Sequence, residues 1–328
     1  MQPSPGVALP PSPGTALHRL HFSQRALANG SDEALQRALE ILGWQETSKC
    51  SNPDVMRWVI WNADNESRQY PPLVPGQCVN RFPGVADCCR KALFAGLLAR
   101  LRRMLPASSP LNDGQLLPLQ WALPRQREDL GAYAAAAAAA AKADGKPPPV
   151  FIVKPDAGSK GDGIELTTEP VRKTPSSAYD TGRVVQEYIG NPMLLDGLKF
   201  DLRLFVLVTS VGGSDDAGPA QCFLCREGLV RFAVEAYEAA DLANVHAHLT
   251  NYALNRRNDN FVRSEEANGG DRGSKRTVTS VFGALHAAGL VSDIEALWQR
   301  IGQLVLRTVG VVQPVLAAAR PGWDACPW

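Results

Sequence analysis

The strand-like stretch LKFDLRLFVLVTS, residues 198–210, constrains the fold of this chain more strongly than any other segment. Its second half is an apolar run with many β-branched residues, which is typical of a strand in a sheet. Its first half places Lys199, Asp201 and Arg203 at alternate positions, and on a strand such side chains share one face. Ionisable groups on a strand face must be solvated, paired with each other or used on a ligand. An internal pair between Lys199 and Asp201 and the binding of a ligand are therefore both open.

The rest of the chain contains further strand and helix patterns. Short apolar runs between glycine or proline clusters predict strands at 58–61, 150–154, 164–166, 184–189, 200–209, 221–225 and 229–234. Apolar residues that recur at three and four positions predict helices at 88–105, 281–290 and 294–316, the last of them ended or kinked by Pro314. This order predicts an α+β fold in which an antiparallel-leaning sheet is followed by helices.

Composition narrows the class of protein. With 328 residues, 45% of them hydrophobic, the chain can bury a core and form two or three domains. The net charge of +1 gives no overall attraction to nucleic acid or membranes, and no apolar run approaches the roughly 20 residues that a membrane span needs. Seven cysteines without framework spacing favour a reducing, intracellular compartment. Residues 1–35 predict a disordered, Pro-rich leader, and the alanine run 134–141 predicts a helical or disordered insertion.

The segment FIVKPDAGSKGDGIEL, residues 151–166, combines a lysine with a glycine-rich loop between two predicted strands. The strand delivers Lys154, and Gly158, Gly161 and Gly163 permit backbone angles that let amide groups approach an anion. This pattern predicts a flap over the phosphates of a nucleotide, and an ordinary glycine hairpin is the alternative. The phosphate-loop motif and the dinucleotide fingerprint are both absent.

Other polar groups fit a nucleotide as well. In RVVQEYIGNP, the strand edge 186–189 could offer backbone groups to an adenine ring. Phosphate would suit Lys199 and Arg203, while ribose hydroxyls or a metal would suit Asp201. Arg231 in GLVRF, the segment HLTNYALN and Lys275 in GSKRT add cations and hydrogen-bonding groups on or beside predicted strands.

Weaker signals allow other interpretations. Cys222 and Cys225 form a C-x-x-C without a second pair, so buried or surface thiols are favoured over zinc. His246 and His248 have the same-face spacing of a strand and could be metal ligands, although no third ligand is evident. A protein kinase is disfavoured, because its catalytic loop and D-F-G motif are missing and Lys154 precedes the flap.

Taken together, the motifs resemble the tubulin tyrosine ligase-like proteins. KPDAGSKGDGI, VVQEYIGNPMLLDGLKFDLRLFVLVTS, EGLVRF, HLTNYALN and GSKRT have the order and spacing of that family, and the resemblance covers about residues 40–326. NRFPGVADCCRKALFAGLLARLRRMLP is similar to the N-terminal segment of the polyglutamylase branch. The flap and GSKRT look most like the members that elongate glutamate chains.

The resemblance implies an ATP-grasp-like α+β fold, with a mixed or antiparallel sheet, packed helices and a small N-terminal α/β subdomain. The implied division is a leader at 1–35, an N-terminal subdomain at 36–130, an Ala-rich linker at 131–149, a central ATP-grasp subdomain at 150–210 and a C-terminal one at 211–328. The implied reaction is ATP-dependent ligation of glutamate to glutamate side chains of tubulin tails through an acyl-phosphate. The implied cofactors are ATP and Mg²⁺, and the implied partners are tubulin tails or microtubules and free L-glutamate. The resemblance also implies a monomer that is located in the cytoplasm and cytoskeleton, at a cilium or basal body.

Matching positions assign individual roles. Arg203 would act on the reacting phosphate or carboxylate, and Lys91 would reach ATP from the N-terminal subdomain. The residues matched to ATP binding are Lys154, Ser159, Lys160, Gly161, Asp162, Gly163, Ile164, Gln186, Glu187, Tyr188, Ile189, Lys199, Phe200, Asp201, Thr250 and Asn251. Those matched to the incoming glutamate are Arg231, Tyr252, Ala253 and Lys275. The basic residues Arg100, Arg102 and Arg103 predict a solvated helix face or a contact with acidic tubulin tails.

Two departures from the family pattern matter. Ala253 stands where many members have serine, which removes one hydroxyl from the implied glutamate site. The family continues with two strands whose Asp, Glu and Asn bind magnesium, whereas this sequence reaches Trp328 after RPGWDACPW. We therefore expect the metal ligands beyond the end of this chain. The alternative is a non-catalytic fragment or pseudoenzyme that binds ATP or tubulin and shows no ligase activity.

Overall fold

The structure is a computed structural model of the 328-residue chain. It describes residues 82–106, 108–109, 117–158, 161–172, 182–212, 219–263 and 273–319, and short segments at 19–22, 36–38, 40–41, 45–46, 57–60 and 77–79. The chain divides into two compact units, one formed by Met1–Ala86 with Leu316–Trp328 and the other by Asp87–Val315. The second unit contains every predicted site residue.

The first unit contains a four-stranded parallel sheet. Its strands are β1 (Arg19–Phe22), β2 (Gln45–Glu46), β3 (Arg57–Ile60) and β4 (Gln77–Val79), in the order β2-β1-β3-β4. Strand β3 confirms the strand predicted at 58–61. The prediction that residues 1–35 are disordered is wrong for β1, whose backbone pairs with both β2 and β3. Pairing on two sides supplies hydrogen bonds that composition alone does not reveal.

Two helices follow, α1 (Val85–Cys88) and α2 (Lys91–Met104). They replace the single helix predicted at 88–105. Helix α2 buries Ala95 and Leu98 and packs against the strand Gln120–Leu123. Some basic side chains of α2 therefore lie on its packed face, and others are exposed to solvent.

An antiparallel sheet, here called the first sheet, is built around a central strand. It comprises β5 (Gln120–Leu123), β6 (Phe151–Pro155), β7 (Glu165–Thr167) and β8 (Arg183–Glu187), in the order β5-β8-β6-β7. Val184 and Val185 of the central strand β8 are both buried, which explains the continuous apolar run seen in its sequence. Trp121, Phe151 and Val185 form part of the core on one face.

The alanine tract belongs to helix α3 (Arg127–Ala143), so of the two interpretations the helical one is confirmed. Alanine has the highest helix propensity of any residue. The helix is anchored by Leu130, which is fully buried, and by Tyr133 and Ala134, which pack against the core of the first sheet. The predicted domain boundary at 131 therefore falls inside a helix that packs on this sheet.

A second antiparallel sheet, here called the second sheet, carries the strand with alternating charges. It comprises β9 (Leu194–Leu195), β10 (Leu198–Ser210), β11 (Gln221–Phe232) and β12 (Lys275–Thr277), in the order β12-β11-β10-β9. The short helices α4 (Val245–His248) and α5 (Tyr252–Asn255) lie between β11 and β12 in the sequence, and the helices α6 (Val278–Ala287) and α7 (Ile294–Ala318) follow. Phe200, Leu202 and Leu204 pack with Val230 and Phe232 against α6 and α7 on the core face. Burying each such side chain contributes about 1.5–3 kcal/mol.

Strand β11 is continuous, although the sequence predicted two strands at 221–225 and 229–234. The register with β10 shifts between Leu204 and Val206, whose partners are Gly228 and Leu224. Such a bulge takes up the extra residues without ending the strand. A Cβ at Gly228 would lie 2.5 Å from the Arg203 carbonyl oxygen, so the close approach of the two strands requires glycine there.

The outer edge of β10 pairs with another described strand only at Leu198 and Lys199, which face β9. Beyond this point Phe205 and Leu207 share a face with Phe223, the register partner of Leu207. These three side chains are exposed. The far end of the β10–β11 pair therefore presents apolar surface next to an open strand edge.

Helix α7 differs from the sequence-based expectations in two ways. It continues through Pro314 to Ala318, so Pro314 does not end it. By length and composition alone, its 25 residues could also cross a membrane, which the sequence was expected to exclude. Arg300 and Arg307 interrupt the apolar run, but the hydropathy of the whole segment stays high enough for a possible membrane span. Trp298 of α7 is buried in the core of the second sheet.

Candidate functional site

Three lysines from different elements converge on one partly buried region. Lys154 of β6 donates to Gln186 Oε1 at 2.7 Å. Lys199 of β10 donates to the Tyr188 hydroxyl at 2.7 Å and to the His248 carbonyl at 3.0 Å. Lys91 of α2 donates to the Gly158 carbonyl at 3.0 Å. All of these acceptors are neutral, and none of the three ammonium groups forms an ion pair with a carboxylate of the described residues.

Besides burial, a neighbouring lysine charge lowers the pKa values of Lys154 and of Lys199, so the three side chains lie close to one another. Burial lowers the pKa of Lys154, and the charge of Lys91 lowers it further. Burial also lowers the pKa of Lys199 to about 8, with Lys154 adding to the shift and Asp201 opposing it. Concentrated positive charge held by neutral oxygen atoms is suited to binding an anion.

Lys91 is placed by a fixed contact between α2 and the end of β6. The Asp156 carboxylate accepts from the Ala92 backbone N–H at 2.8 Å and from the Arg90 side chain at 2.6 and 3.0 Å. A carboxylate at a helix N-terminus satisfies an open backbone donor and faces the positive end of the helix dipole. The prediction that Lys91 reaches this region agrees with its position beside Gly158.

The glycine-rich segment connects two paired strands, as the sequence predicted. Gly161 and Gly163 have φ values of 95° and 67°, and the turn 161–163 includes Asp162 and precedes Ile164. A Cβ at Gly161 would lie 3.3 Å from the Asn251 side chain, so the turn rests directly against Asn251. Of the predicted flap residues, Ser159 and Lys160 lie outside the described part of the chain.

The predicted adenine edge at 186–189 has a defined orientation. Besides accepting from Lys154, the Gln186 side chain donates from Nε2 to Gln120 Oε1 at 3.3 Å. The backbone N–H groups of Glu187 and Tyr188 donate to the Leu119 and Val150 carbonyls at 2.9 Å each. Ile189 is exposed beyond the end of β8, and among the described residues its N–H has no hydrogen-bond partner. Its backbone therefore remains open to a ligand.

The polar face of the second sheet carries a row of charges across three strands. Asp201 on β10, Arg231 on β11 and Lys275 on β12 are register neighbours. Arg231 binds the Asp201 carboxylate through two hydrogen bonds, and these bonds raise the pKa of Arg231. Asp201 therefore pairs with Arg231 on the neighbouring strand and not with Lys199, which had been the open alternative. Lys275 Nζ lies 3.7 Å from the centre of the Tyr252 ring, a cation–π geometry.

The remaining predicted residues are distributed unevenly. Thr250 is buried, and Ala253 follows Tyr252 in helix α5. The Phe200 side chain packs in the core, so only its backbone can serve the polar face. Arg203 is exposed two residues beyond Asp201, and its side chain forms no hydrogen bond with the described residues. The structure thus places Asp201, Arg231 and Lys275 side by side on the second sheet, with Arg203 farther along β10.

The sequence motifs did not include the Tyr133 side chain in the site, and they did not connect His248 with Tyr188. Tyr133 donates a hydrogen bond to Glu187, and burial raises the Tyr133 pKa to about 12. His248 was considered only as a metal ligand with His246, on strand spacing. Both lie on helix α4, where residues two apart point in different directions. His246 contacts Asn255 Oδ1 at 3.1 Å, whereas His248 contacts Tyr188.

We compared the described side chains with the needs of a metal ion. Within the described ranges, no group of three or more His, Cys, Asp or Glu residues is placed to hold a metal. Asp201, the carboxylate that acts on the Lys199 pKa, is already engaged by Arg231. The described residues therefore do not fit a magnesium site on their own.

Two antiparallel sheets with packed helices, a glycine flap and clustered lysines define an α+β protein consistent with the ATP-grasp-like class. The model of the tubulin-tyrosine ligase family matches residues 67–322. The chain therefore belongs to the tubulin-tyrosine ligase family, which confirms the resemblance seen in its motifs.

Individual relatives point to one branch of that family. The chain is 35% identical over 248 residues to tubulin polyglutamylase TTLL11 of Mus musculus, covering 74% of this chain and 31% of the relative. It is 35% identical over 295 residues to tubulin polyglutamylase ttll6 of Danio rerio, covering 88% and 33%. A probable beta-tubulin polyglutamylase of Tetrahymena thermophila is 35% identical over 264 residues, covering 79% and 20%. The chain thus spans a third or less of the length of these relatives.

Proposed function

We propose that this chain binds ATP and serves the ligation of glutamate to glutamate side chains of tubulin tails, that is, tubulin polyglutamylation. The observation that carries the proposal is the convergence of Lys91, Lys154 and Lys199 with only neutral partners among the described residues. These three neighbouring cations form no ion pair among the described residues, and a polyphosphate would supply a direct anionic partner. The relatives named as polyglutamylases support the choice of reaction and of tubulin as the protein substrate.

The proposed nucleotide contacts follow the geometry. The three lysines bind the phosphates, the flap at 159–164 covers them, and the backbone edge at 186–189 meets the adenine ring. Asp201, Thr250 and Asn251 complete this binding region. Because Gly161 rests on Asn251, the glycine turn and the Thr250–Asn251 segment already lie against each other.

The proposed glutamate contacts lie on the neighbouring strands. Arg231 and Lys275 are cross-strand neighbours, and Lys275 stacks on Tyr252 beside Ala253. The two cations, on adjacent strands, suit the carboxylates of free L-glutamate. Arg203, at the margin of the same face, is the proposed cation for the reacting group.

The chemistry requires an activated carboxylate, because a carboxylate ion is a poor electrophile. The substrate carboxylate takes the γ-phosphoryl group of ATP, which gives an acyl-phosphate and ADP. The α-amine of free glutamate then attacks the carbonyl carbon, phosphate leaves, and an isopeptide bond forms. The lysines and Arg203 stabilise the negative charge of the phosphoryl group and position it. Mg²⁺ is expected to accompany ATP.

The proposed setting is the cytoplasmic cytoskeleton, including cilia or basal bodies, with a monomer acting on microtubules. The exposed basic residues of α2 are the proposed contact for acidic tails. Arg102 is less suited to this role, because it is partly buried and its guanidinium donates to the Leu117 carbonyl at 3.3 Å.

A second candidate is binding of ATP and tubulin without transfer, favoured by the lack of an acidic cluster within the described ranges. One experiment separates the two. The purified chain is titrated with ATP by calorimetry, then incubated with microtubules, ATP and isotopically labelled glutamate, and the tubulin tails are analysed by mass spectrometry. Incorporation that is lost in Lys154→Met supports ligation. ATP binding without incorporation supports the second candidate, and absence of ATP binding refutes both.

A further inference from the structure

His248 is almost fully buried, with 1% of its surface exposed, yet none of the proposed steps uses it. Its Nε2 lies 2.9 Å from the Asp241 carbonyl oxygen, and its Nδ1 lies 2.9 Å from the Tyr188 hydroxyl. The same hydroxyl accepts from Lys199 at 2.7 Å. A continuous chain of hydrogen bonds thus joins the Asp241 backbone to the Lys199 ammonium group.

The partners at each end indicate the direction of the hydrogen bonds in this chain, in which the Tyr188 hydroxyl has Tyr237 as a further hydrogen-bond partner. A carbonyl oxygen only accepts, so His248 Nε2 carries the hydrogen that it donates to Asp241. In the neutral ring Nδ1 is then an acceptor, and Tyr188 donates to it. An ammonium group only donates, so the Tyr188 oxygen accepts from Lys199. Burial and the nearby Lys199 charge both lower the pKa of His248, which favours the neutral ring.

We propose that His248 is a positioning residue that acts through Tyr188 to hold the Lys199 ammonium group at a fixed place on the polar face of the second sheet. This inference rests on the proposed function, in which Lys199 binds the phosphates of ATP. His248 touches Lys199 directly only through its own backbone carbonyl, at 3.0 Å. Its side chain contributes by setting the direction of the Tyr188 hydroxyl.

The arrangement has a physical advantage for binding an anion. A lysine side chain is long and flexible, so holding it in advance lowers the entropy lost when a ligand binds. The two neutral acceptors hold the ammonium group without cancelling its charge. They occupy two of its three N–H donors, and the third has no hydrogen-bond partner among the described residues, although the ammonium group also lies 4.4 Å from the centre of the Tyr188 ring. That donor remains for a phosphate oxygen.

Two substitutions of His248 separate this role from simple packing. In His248→Asn, the amide oxygen can take the place of Nδ1 and accept from Tyr188. In His248→Gln, the amide nitrogen can take the place of Nε2 and donate to Asp241, but the acceptor for Tyr188 is lost. Positioning predicts that His248→Gln weakens ATP binding by roughly 3–10-fold while His248→Asn stays closer to wild type. Packing predicts the opposite order, because glutamine fills more of the space.

Tyr188→Phe provides a second variant that leaves the buried histidine in place. It should weaken ATP binding by a similar factor, measured by calorimetry on the folded chain. In a Lys199→Met background, neither Tyr188→Phe nor His248→Gln should weaken binding further, because both act through Lys199. Additive losses in that background, or the packing order for the His248 variants, would overturn the proposal.

A measurement without nucleotide keeps this inference separate from the proposed function. Trace labelling with acetic anhydride across a range of pH, read by mass spectrometry, reports the pKa and reactivity of each lysine. His248→Gln and Tyr188→Phe should change the labelling rate of Lys199 at least about threefold and leave exposed Lys146 unchanged. If the wild type binds no ATP, the proposed function fails and the labelling result alone decides the role of His248. An unchanged Lys199 rate in both variants would refute it.

Discussion

The charged side chains of the two antiparallel sheets differ in the charge of their hydrogen-bond partners. In the first sheet, Lys154 is held by the Gln186 amide, which leaves its positive charge uncompensated. In the second sheet, Arg231 is already bound to Asp201 through two hydrogen bonds. Lys199 belongs to the second sheet but resembles Lys154, because its partners are a hydroxyl and a carbonyl.

Lys154 and Lys199 can therefore bind an anion directly, whereas Arg231 is already bound to a carboxylate. Binding phosphate to Lys154 or Lys199 breaks no ion pair among the described residues, because the hydrogen-bond acceptors of both side chains are neutral. Binding a ligand to Arg231 requires either sharing or breaking an ion pair. Neutral acceptors therefore mark the side chains that we expect to contribute most to ATP affinity.

The largest expected effect concerns the stability of the second sheet. Gly228→Ala would place a Cβ 2.5 Å from the Arg203 carbonyl oxygen and should lower the free energy of unfolding by about 3 kcal/mol. In the first sheet, Gly182→Ala meets its nearest neighbours at 3.6 and 3.7 Å and should change stability by less than about 1 kcal/mol. Urea unfolding measures both. Equal stabilities would show that the strands can separate at the bulge at no cost.

The next effect tests the contrast between neutral and charged partners. Lys154→Met should weaken ATP binding roughly 10–100-fold, the range for losing a hydrogen bond to a charged group. Arg231→Met should weaken it less than about fivefold, because Asp201 already offsets this charge. Lys146→Met, at an exposed site, is the control for both. Calorimetric titration with ATP gives the values, and a larger loss in Arg231→Met than in Lys154→Met would reverse the comparison.

A smaller effect should appear as the pH changes. The Lys199 pKa of about 8 means that this group loses its proton between pH 7 and pH 9, whereas bound phosphate favours the protonated form. ATP affinity should therefore fall as the pH rises through 8, by up to about tenfold. Lys199→Arg keeps its charge over this range and should flatten the profile. A wild-type affinity that is constant from pH 7 to 9 would contradict the assignment of Lys199 as a phosphate ligand.

The smallest effect concerns helix α2, which packs beside the first sheet. Reversing the charge of the exposed Arg100 and Arg103 should weaken microtubule binding roughly 3–10-fold at low salt, with the difference shrinking as salt rises. Arg102→Glu should instead act mainly on stability, because Arg102 donates to the Leu117 carbonyl. Co-sedimentation with microtubules measures the binding. Equal binding by wild type and the double variant at low salt would rule out α2 as the contact.

The sequence predicted the parts of the site that depend on local periodicity. The alternation in β10 correctly separated Lys199 and Asp201 from Phe200 and Leu202, because a strand reverses its side chains at each residue. The glycine loop between two paired strands was predicted for the same local reason.

Contacts between distant elements could not be predicted in this way. The Asp201 partner, Arg231, depends on the register between β10 and β11, which is shifted by a bulge. The approach of Lys91 depends on how α2 is fixed to Asp156. His248 was misinterpreted because its segment forms a helix although its spacing was read as that of a strand. The strand β1 was missed because its pairing partners lie outside the Pro-rich segment.

The open edge of β10 also has a practical consequence for work with this protein. Among the described strands, β10 has no partner on this edge beyond Lys199, and such an edge beside exposed Phe205, Leu207 and Phe223 is a template on which strands of other molecules can add. Self-association should then limit the concentrations used for crystallisation or calorimetry, even when every molecule is correctly folded. A lysine in place of Leu207 would interrupt that template at a distance from the clustered lysines, and would give a better-behaved sample for binding studies.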